Sequence, residues 1–387
     1  MNIFKKAIIA TAIFSSPIAI AAEDPIKVGL MLPSTGTYAK LGNAITNGFK
    51  LYITENEGKL SNRPIEIIEL DDASDPSKAT DNMKKLINSD KVDVVVGTVH
   101  SGVAMAMAKV AKETGTMLIV PNAGAAAITG PMCAPNIYRS SFTMWQPGYA
   151  MGKAVAKDGH KKVVTITWKY GAGKESVNGF KESFEKAGGK VVKELEVPFP
   201  SVEFQALLTE IAATKPDAVF TFFAGGGAVK FVKDYAAAGL KDSIPLYGSG
   251  FLTDGTLKAQ GGDGEGLVTT LHYADGLDTD TNISFRKGYT ATFDGLEPDV
   301  YAVQGYDAAQ ILAIGLDAVK GDISKTNEMS VALEAATIVS PRGEFKLSKS
   351  HNPVQDIYLR KAVGNENLVI GMASKALADP ARGCRRK

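Results

Sequence analysis

An excess of either charge is missing from this chain: 43 Lys and Arg stand against 42 Asp and Glu over 387 residues, a formal net charge of +1. Without a basic surplus there is no electrostatic footprint for phosphate backbones, so no nucleic-acid partner is expected. Histidine is scarce as well, and His100, His160, His272 and His351 show no metal-ligand spacing. Only Cys133 and Cys384 are present. They lie too far apart for a zinc knuckle; in an oxidising compartment two such thiols are more often joined than free, with two unpaired thiols as the alternative. Long apolar runs are lacking too. The stretch Ala7 to Ile20 is broken by Thr11, Ser15, Ser16 and Pro17, short of the ~20 apolar residues that a spanning helix needs. With Lys5 and Lys6 before it and Ala19-Ile20-Ala21 after it, the stretch reads as a signal peptide over residues 1–21, cleaved after Ala21. No Cys follows that cut, so a lipid anchor is not expected and the exported chain should be soluble.

What is present is alternation. Short β-rich runs and longer amphipathic stretches follow one another from Ile26, the pattern of a parallel sheet covered by helices. Strands are expected at Ile26–Leu32, Pro64–Leu70, Val92–Gly97 and Met117–Val120, and helices at Tyr38–Glu55, Pro76–Ser89 and Ser101–Thr114. The proline-flanked run Gly130 to Pro135 interrupts the rhythm. A second α/β half then follows, with strands at Val163–Thr167, Val191–Val197, Ala218–Phe223, Pro245–Tyr247 and Leu267–Leu271 and helices at Lys174–Ala187, Phe204–Thr214 and Val229–Ala238. Gly225-Gly226-Gly227 reads as a flexible loop before the last of these. Helical patterns at Ile283–Phe293 and Val300–Lys320 and a β-rich pair at Gly343–Leu347 and Ile357–Val363 complete the chain. At this length two domains are the default.

Enzyme signatures fail on inspection. Gly171-Ala172-Gly173-Lys174-Glu175 lacks the leading glycine of a phosphate loop, where Trp168 stands, and the hydroxyl after its lysine. Ser101 and Ser249 lack the upstream glycine of a nucleophile elbow, and Asp278 to Asn282 begins a calcium loop that Ile283 and Tyr289 do not complete. The turn Gly97 to Gly102 is more promising: it follows a strand and opens a helix, so free amides and the Ser101 hydroxyl could seat a carboxylate, with His100 alongside. Ser101 could equally cap its own helix, and spacing alone leaves both readings open. Asn122 and Gly124 follow the next strand on the same sheet edge, where α/β folds collect ligands, although an ordinary turn would also account for Asn122.

Ile26–Gly42, Asp71–Pro76, Val95–Ser101, Pro121–Gly124, Tyr170-Gly171, Ala236–Leu240 and Val300–Tyr306 together resemble the branched-chain amino-acid family of periplasmic binding proteins, which serve ATP-binding-cassette importers. The resemblance runs from Ile26 to about Val363. It implies an α/β, type I periplasmic-binding-protein fold: two Rossmann-like lobes with parallel sheets joined by three crossovers. Lobe 1 is expected to take residues 22–142 and 273–353, and lobe 2 residues 143–272 and 354–387. It further implies a non-enzymatic, monomeric receptor in the periplasm, with a small-molecule carboxylate ligand, permease subunits as partners and no cofactor or metal. By position, Ser101, Asn122 and Gly124 resemble the family's carboxylate-binding set, Tyr170 the tyrosine that closes over the ligand, and Tyr301 an aromatic lining the cleft. Leu41 and Ala224 stand where amino-acid binders carry tyrosine, and Gly250 where they carry the acid that pairs with the α-ammonium. An unpartnered buried ammonium costs several kcal/mol, so a ligand with a carboxylate and no amine is expected. Space at Ala224 and Gly250, with Trp145, Tyr170, Phe223 and Tyr301 nearby, suits a flat ring, though core packing is the simpler account of Phe223. The tail Ala378 to Cys384 resembles those of the subgroup that takes up benzoate and hydroxycinnamate derivatives. A branched-chain or other amino-acid binder, or a ligand-sensing module of the same fold, is the alternative.

Overall fold

The computed structural model describes residues 24–386, and the expected signal segment lies outside them. The first sheet takes β1 (Ile26–Leu32), β2 (Lys59–Leu60), β3 (Arg63–Asp71), β4 (Val94–Val96), β5 (Met117–Val120) and β6 (Ile137–Arg139) in the order β2-β3-β1-β4-β5-β6. Its pairs are parallel apart from the β2–β3 hairpin. Continuous apolar runs such as Val94–Val96 fit strands covered on both faces. Helices α1 (Ala39–Glu55), α2 (Ala79–Lys84), α3 (Ser101–Thr114) and α4 (Ala126–Thr129) belong to this half; α2 runs on through a π-helical turn at Lys85–Ser89. Gly115, at φ +78°, ends α3 in the left-handed conformation that glycine adopts without steric cost.

Helix α5 (Trp145–Lys157) leads to the second sheet, where β7 (Lys162–Lys169), β8 (Lys190–Pro198), β9 (Ala218–Phe222), β10 (Leu246–Ser249) and β11 (Val268–Leu271) are parallel in the order β8-β7-β9-β10-β11. Between them run α6 (Gly171–Lys186), α7 (Gln205–Thr214), α8 (Gly225–Ala237) and α9 (Leu257–Gln260). After β11 the chain returns to the first half through α10 (Asp280–Thr292), α11 (Val300–Ala318) and α12 (Thr326–Ala335). Helix α11 lies along α1 so closely that a Cβ on Gly48 or Gly305 would strike the other helix's backbone. The chain then re-enters the second sheet through β12 (Ile338–Ser340), β13 (Gly343–Leu347), β14 (Pro353–Val363) and β15 (Glu366–Leu377), all antiparallel. Two mostly parallel α/β lobes are thus linked by three passages of chain.

Several expectations need correction. The triple glycine is not a loop but the first turn of α8, where Gly227 lies against the Trp168 indole. Strand β15 was not foreseen, because its exposed positions break the apolar alternation; β6, α5, α12 and β12 were missed as well. Residues 338–347, expected with lobe 1, extend the second sheet through the β13–β14 pairing. The expected pairing of Cys133 with Cys384, by contrast, is present, with Cα atoms 5.6 Å apart, and ties the tail to the chain between α4 and β6.

Candidate functional site

Where the carboxyl ends of both sheets face each other, the structure leaves a narrow cavity with about 20 Å³ open to a water-sized sphere. Val99, Ser101, Asn122 and Gly124 reach it from loops after β4 and β5, Tyr170, Phe222 and Ala224 from the ends of β7 and β9, and Tyr301 from the first turn of α11. Tyr38, Leu41, Phe142, Met144, Ala172 and Phe251 complete the wall. No charged side chain lines it. The lobes touch around it: the hydroxyls of Tyr38 and Tyr170 are 2.9 Å apart, and the His100 ring stacks on Tyr170 at 5.1 Å with 16° between planes. These contacts across the cleft describe a closed arrangement.

One end of the cavity is polar. The cap of α3 is His100, whose Nδ1 accepts from the Gly102 N–H at 3.1 Å. Burial pushes the His100 imidazole down to about 4, so the ring is neutral and its Nδ1 can accept. Ser101, 2% exposed, is therefore released from capping, and its hydroxyl has no hydrogen-bond partner among the described residues. The amides of Ser101 and Gly124 likewise donate to no backbone carbonyl among the described residues. Asn122 lines the same end, but its side chain is committed: Nδ2 donates to Gln304 Oε1 at 2.7 Å, and Gln304 Nε2 in turn lies 3.3 Å from His272 Nε2.

The remaining wall is aromatic. Phe251 packs against Phe142 at 4.7 Å, Phe222 at 6.0 Å and Tyr301 at 6.1 Å between ring centroids. The Tyr301 hydroxyl is buried without a hydrogen-bond partner among the described residues. Burial raises its pKa well above the ordinary phenol value, and the charges of Asp254 and Asp299 add to the effect. Asp254 accepts from Arg360 at 2.7 Å through Oδ2, while its Oδ1 has no hydrogen-bond partner among the described residues, and Asp299 caps α11 through the Tyr301 and Ala302 amides.

Ser101, Asn122, Gly124, Tyr170, Leu41, Ala224 and Tyr301 thus meet at one cavity, with His100 just behind it. Trp145, Phe223 and Gly250 do not line it. Trp145 opens α5, where its indole N–H donates to Glu182 at 2.7 Å and its ring stacks on Tyr149. Phe223 points to the opposite face of its sheet, against Trp168, Phe204 and Phe231. A Cβ on Gly250 would meet the Arg360 guanidinium and Leu271, so this position opens no space in the cavity. Phe222 and Phe251, each one residue away, take the places expected of Phe223 and Gly250. Tyr38, Val99, Phe142, Met144 and Ala172 were not foreseen; Tyr38 lay within the run that carries the family resemblance, and a fuller reading of that run was the available signal.

The chain is 30% identical over 365 residues to Leu/Ile/Val-binding protein homolog 6 of Brucella melitensis, covering 92% of each chain. Among solved structures it superposes on an ABC-transporter solute binding protein from R. palustris in complex with benzoate, with TM-score 0.90 and 54% identity over 93% of this chain and 99% of that one. A second solute binding protein, from Rhodopseudomonas palustris BisB5 in complex with 3,4-dihydroxybenzoic acid, gives TM-score 0.87 and 34% identity over 92% and 99%. With a family match spanning residues 25–367, the chain belongs to the periplasmic binding protein family.

Proposed function

We propose that this protein is the solute receptor of an ATP-binding-cassette importer and closes its lobes around a single-ring aromatic carboxylate such as benzoate or a hydroxybenzoate. The observation that carries the reading is the lining of the space between the lobes, aromatic along its length and polar at one end, with no charged side chain. The solute's carboxylate would accept from the Ser101 hydroxyl and the Ser101 and Gly124 amides, with the ring between Tyr170, Phe222 and Phe251. An amino acid would bring an ammonium to a lining that holds no carboxylate side chain, which costs several kcal/mol. The benzoate and dihydroxybenzoate complexes of the similar proteins support the same class of solute, whereas the Leu/Ile/Val-binding relative favours the amino-acid alternative. No acid–base pair lines the cavity, and we read the protein as a binder without catalysis. Export to the periplasm through the N-terminal segment and recognition of the closed form by permease subunits complete the proposal.

Titration calorimetry of the purified protein with benzoate, 4-hydroxybenzoate, leucine and isoleucine tests it. Tight binding of the benzoates and none of the amino acids is expected. Preference for leucine or isoleucine would overturn the assignment.

A further inference from the structure

We propose that Arg139 is the source of the site's preference for an anion, acting through two peptide units without touching the solute. This rests on reading the cavity as a carboxylate site. Arg139 ends β6 and is fully buried. No carboxylate lies within ion-pairing distance of it among the described residues, and its Nε has no hydrogen-bond partner there. Its guanidinium donates instead to two carbonyls of the loop between β5 and α4, those of Ala123 and of Ala125, the second at 2.7 Å.

Because a peptide unit is planar and trans, its C=O and N–H point in opposite directions. The unit that gives its Ala123 carbonyl to Arg139 turns the Gly124 N–H away from it; Gly124 lines the cavity and this N–H is unspent. The unit that gives its Ala125 carbonyl turns away the Ala126 N–H, which donates to Glu175 Oε2 at 2.8 Å. Both peptide dipoles have their negative ends on the guanidinium and their positive ends on an anion's place. Glu175 belongs to α6 of the opposite lobe, so its carboxylate reaches the loop only across the cleft.

A buried cation with no paired carboxylate is costly. Asp379 of the C-terminal tail and Glu175 of the facing lobe act on it from beyond ion-pairing distance; the solute's carboxylate adds a further compensating charge, so occupancy and closure both favour the same arginine. Burial pushes the Glu175 carboxyl up to about 7, with Asp379 adding to the rise, while the Ala126 amide and Arg139 pull against it. The cavity needs no charged lining because its charge lies one peptide unit behind the wall.

The test compares benzoate with benzamide, which differ at the carboxylate alone, by calorimetry on the unaltered protein and on Arg139→Gln, Arg139→Lys and Glu175→Gln. Arg139→Gln should cut the preference for benzoate over benzamide by about tenfold or more, and Arg139→Lys should restore most of it. Glu175→Gln should weaken both ligands together, since it loosens closure and leaves the solute's anchor charged. Should Arg139→Gln not fold, the double variant Arg139→Gln, Glu175→Gln, which also removes the facing-lobe carboxylate, should show the same lost preference. A folded neutral variant with unchanged preference overturns the role of Arg139 and leaves the cavity assignment standing. Failure of the unaltered protein to bind benzoate overturns both.

Discussion

Replacing Ser101 by alanine separates two roles that its position after β4 allows. A serine that caps a helix contributes about 1 kcal/mol to stability. In the structure that role falls to His100, and the Ser101 hydroxyl has no partner among the described residues. Removing the hydroxyl therefore strands no donor or acceptor, and alanine within the first turn of α3 improves helix propensity by about 0.5 kcal/mol. The solute-free Ser101→Ala protein should melt at or slightly above the temperature of the unaltered protein. Binding should respond differently, because a hydrogen bond to a charged group is worth about 1.5–3 kcal/mol, or roughly 10- to 150-fold in Kd for benzoate. His100→Ala is the control with the opposite profile. It loses the cap, so its melting temperature without solute should fall by the equivalent of about 1 kcal/mol, the stack on Tyr170 belonging to the closed form. Calorimetry with benzoate and thermal unfolding without it read the two effects independently. Ser101→Ala with undiminished affinity, or with a loss of stability matching that of His100→Ala, would refute the reasoning.

A Cβ at Gly124 would stand 2.7 Å from Met144 Cγ and Phe142 Cε2; Gly124→Ala should force these cavity walls apart at about 1–3 kcal/mol, seen as weakened benzoate binding and lowered melting temperature together. Cys133→Ser opens a crosslink spanning 251 residues and should cost about 2–5 kcal/mol in guanidinium denaturation, with reductant reproducing the loss in the unaltered protein. At Glu334, burial opposes ionisation, yet bonds from Lys349, His351 and Arg386 outweigh it and hold the carboxyl at about 2 against an ordinary 4.5. A depressed carboxyl stabilises the fold above its unfolded value, and that stability is lost as pH falls from about 4.5 toward about 2. Glu334→Gln should accordingly lose about 1 kcal/mol or less at pH 7, after screening at the exposed Lys349, and show a flatter acid limb in stability against pH.

The polar end of the cavity is legible in the sequence for a topological reason: Ser101, Asn122 and Gly124 follow parallel strands on one sheet edge, and such edges gather ligands whatever the side chains nearby. The aromatic wall depends instead on register. Side chains alternate along a strand, so a one-residue difference turns Phe223 into the packing of Trp168 and Phe231 and Phe222 into the cavity. Gly250 teaches the same lesson from the other side. The expectation of a solute without an amine was drawn from its missing acid, yet a side chain there would face Arg360; the argument now stands on the uncharged lining. Tyr38, Phe142 and Met144 come from loops whose approach is decided by how the two lobes dock, a long-range fact with no local pattern. Arg139 is the extreme case. It shows no motif and touches no cavity, and its reach through the Ala123 and Ala125 carbonyls becomes visible only when the peptide planes between them and the cavity are known.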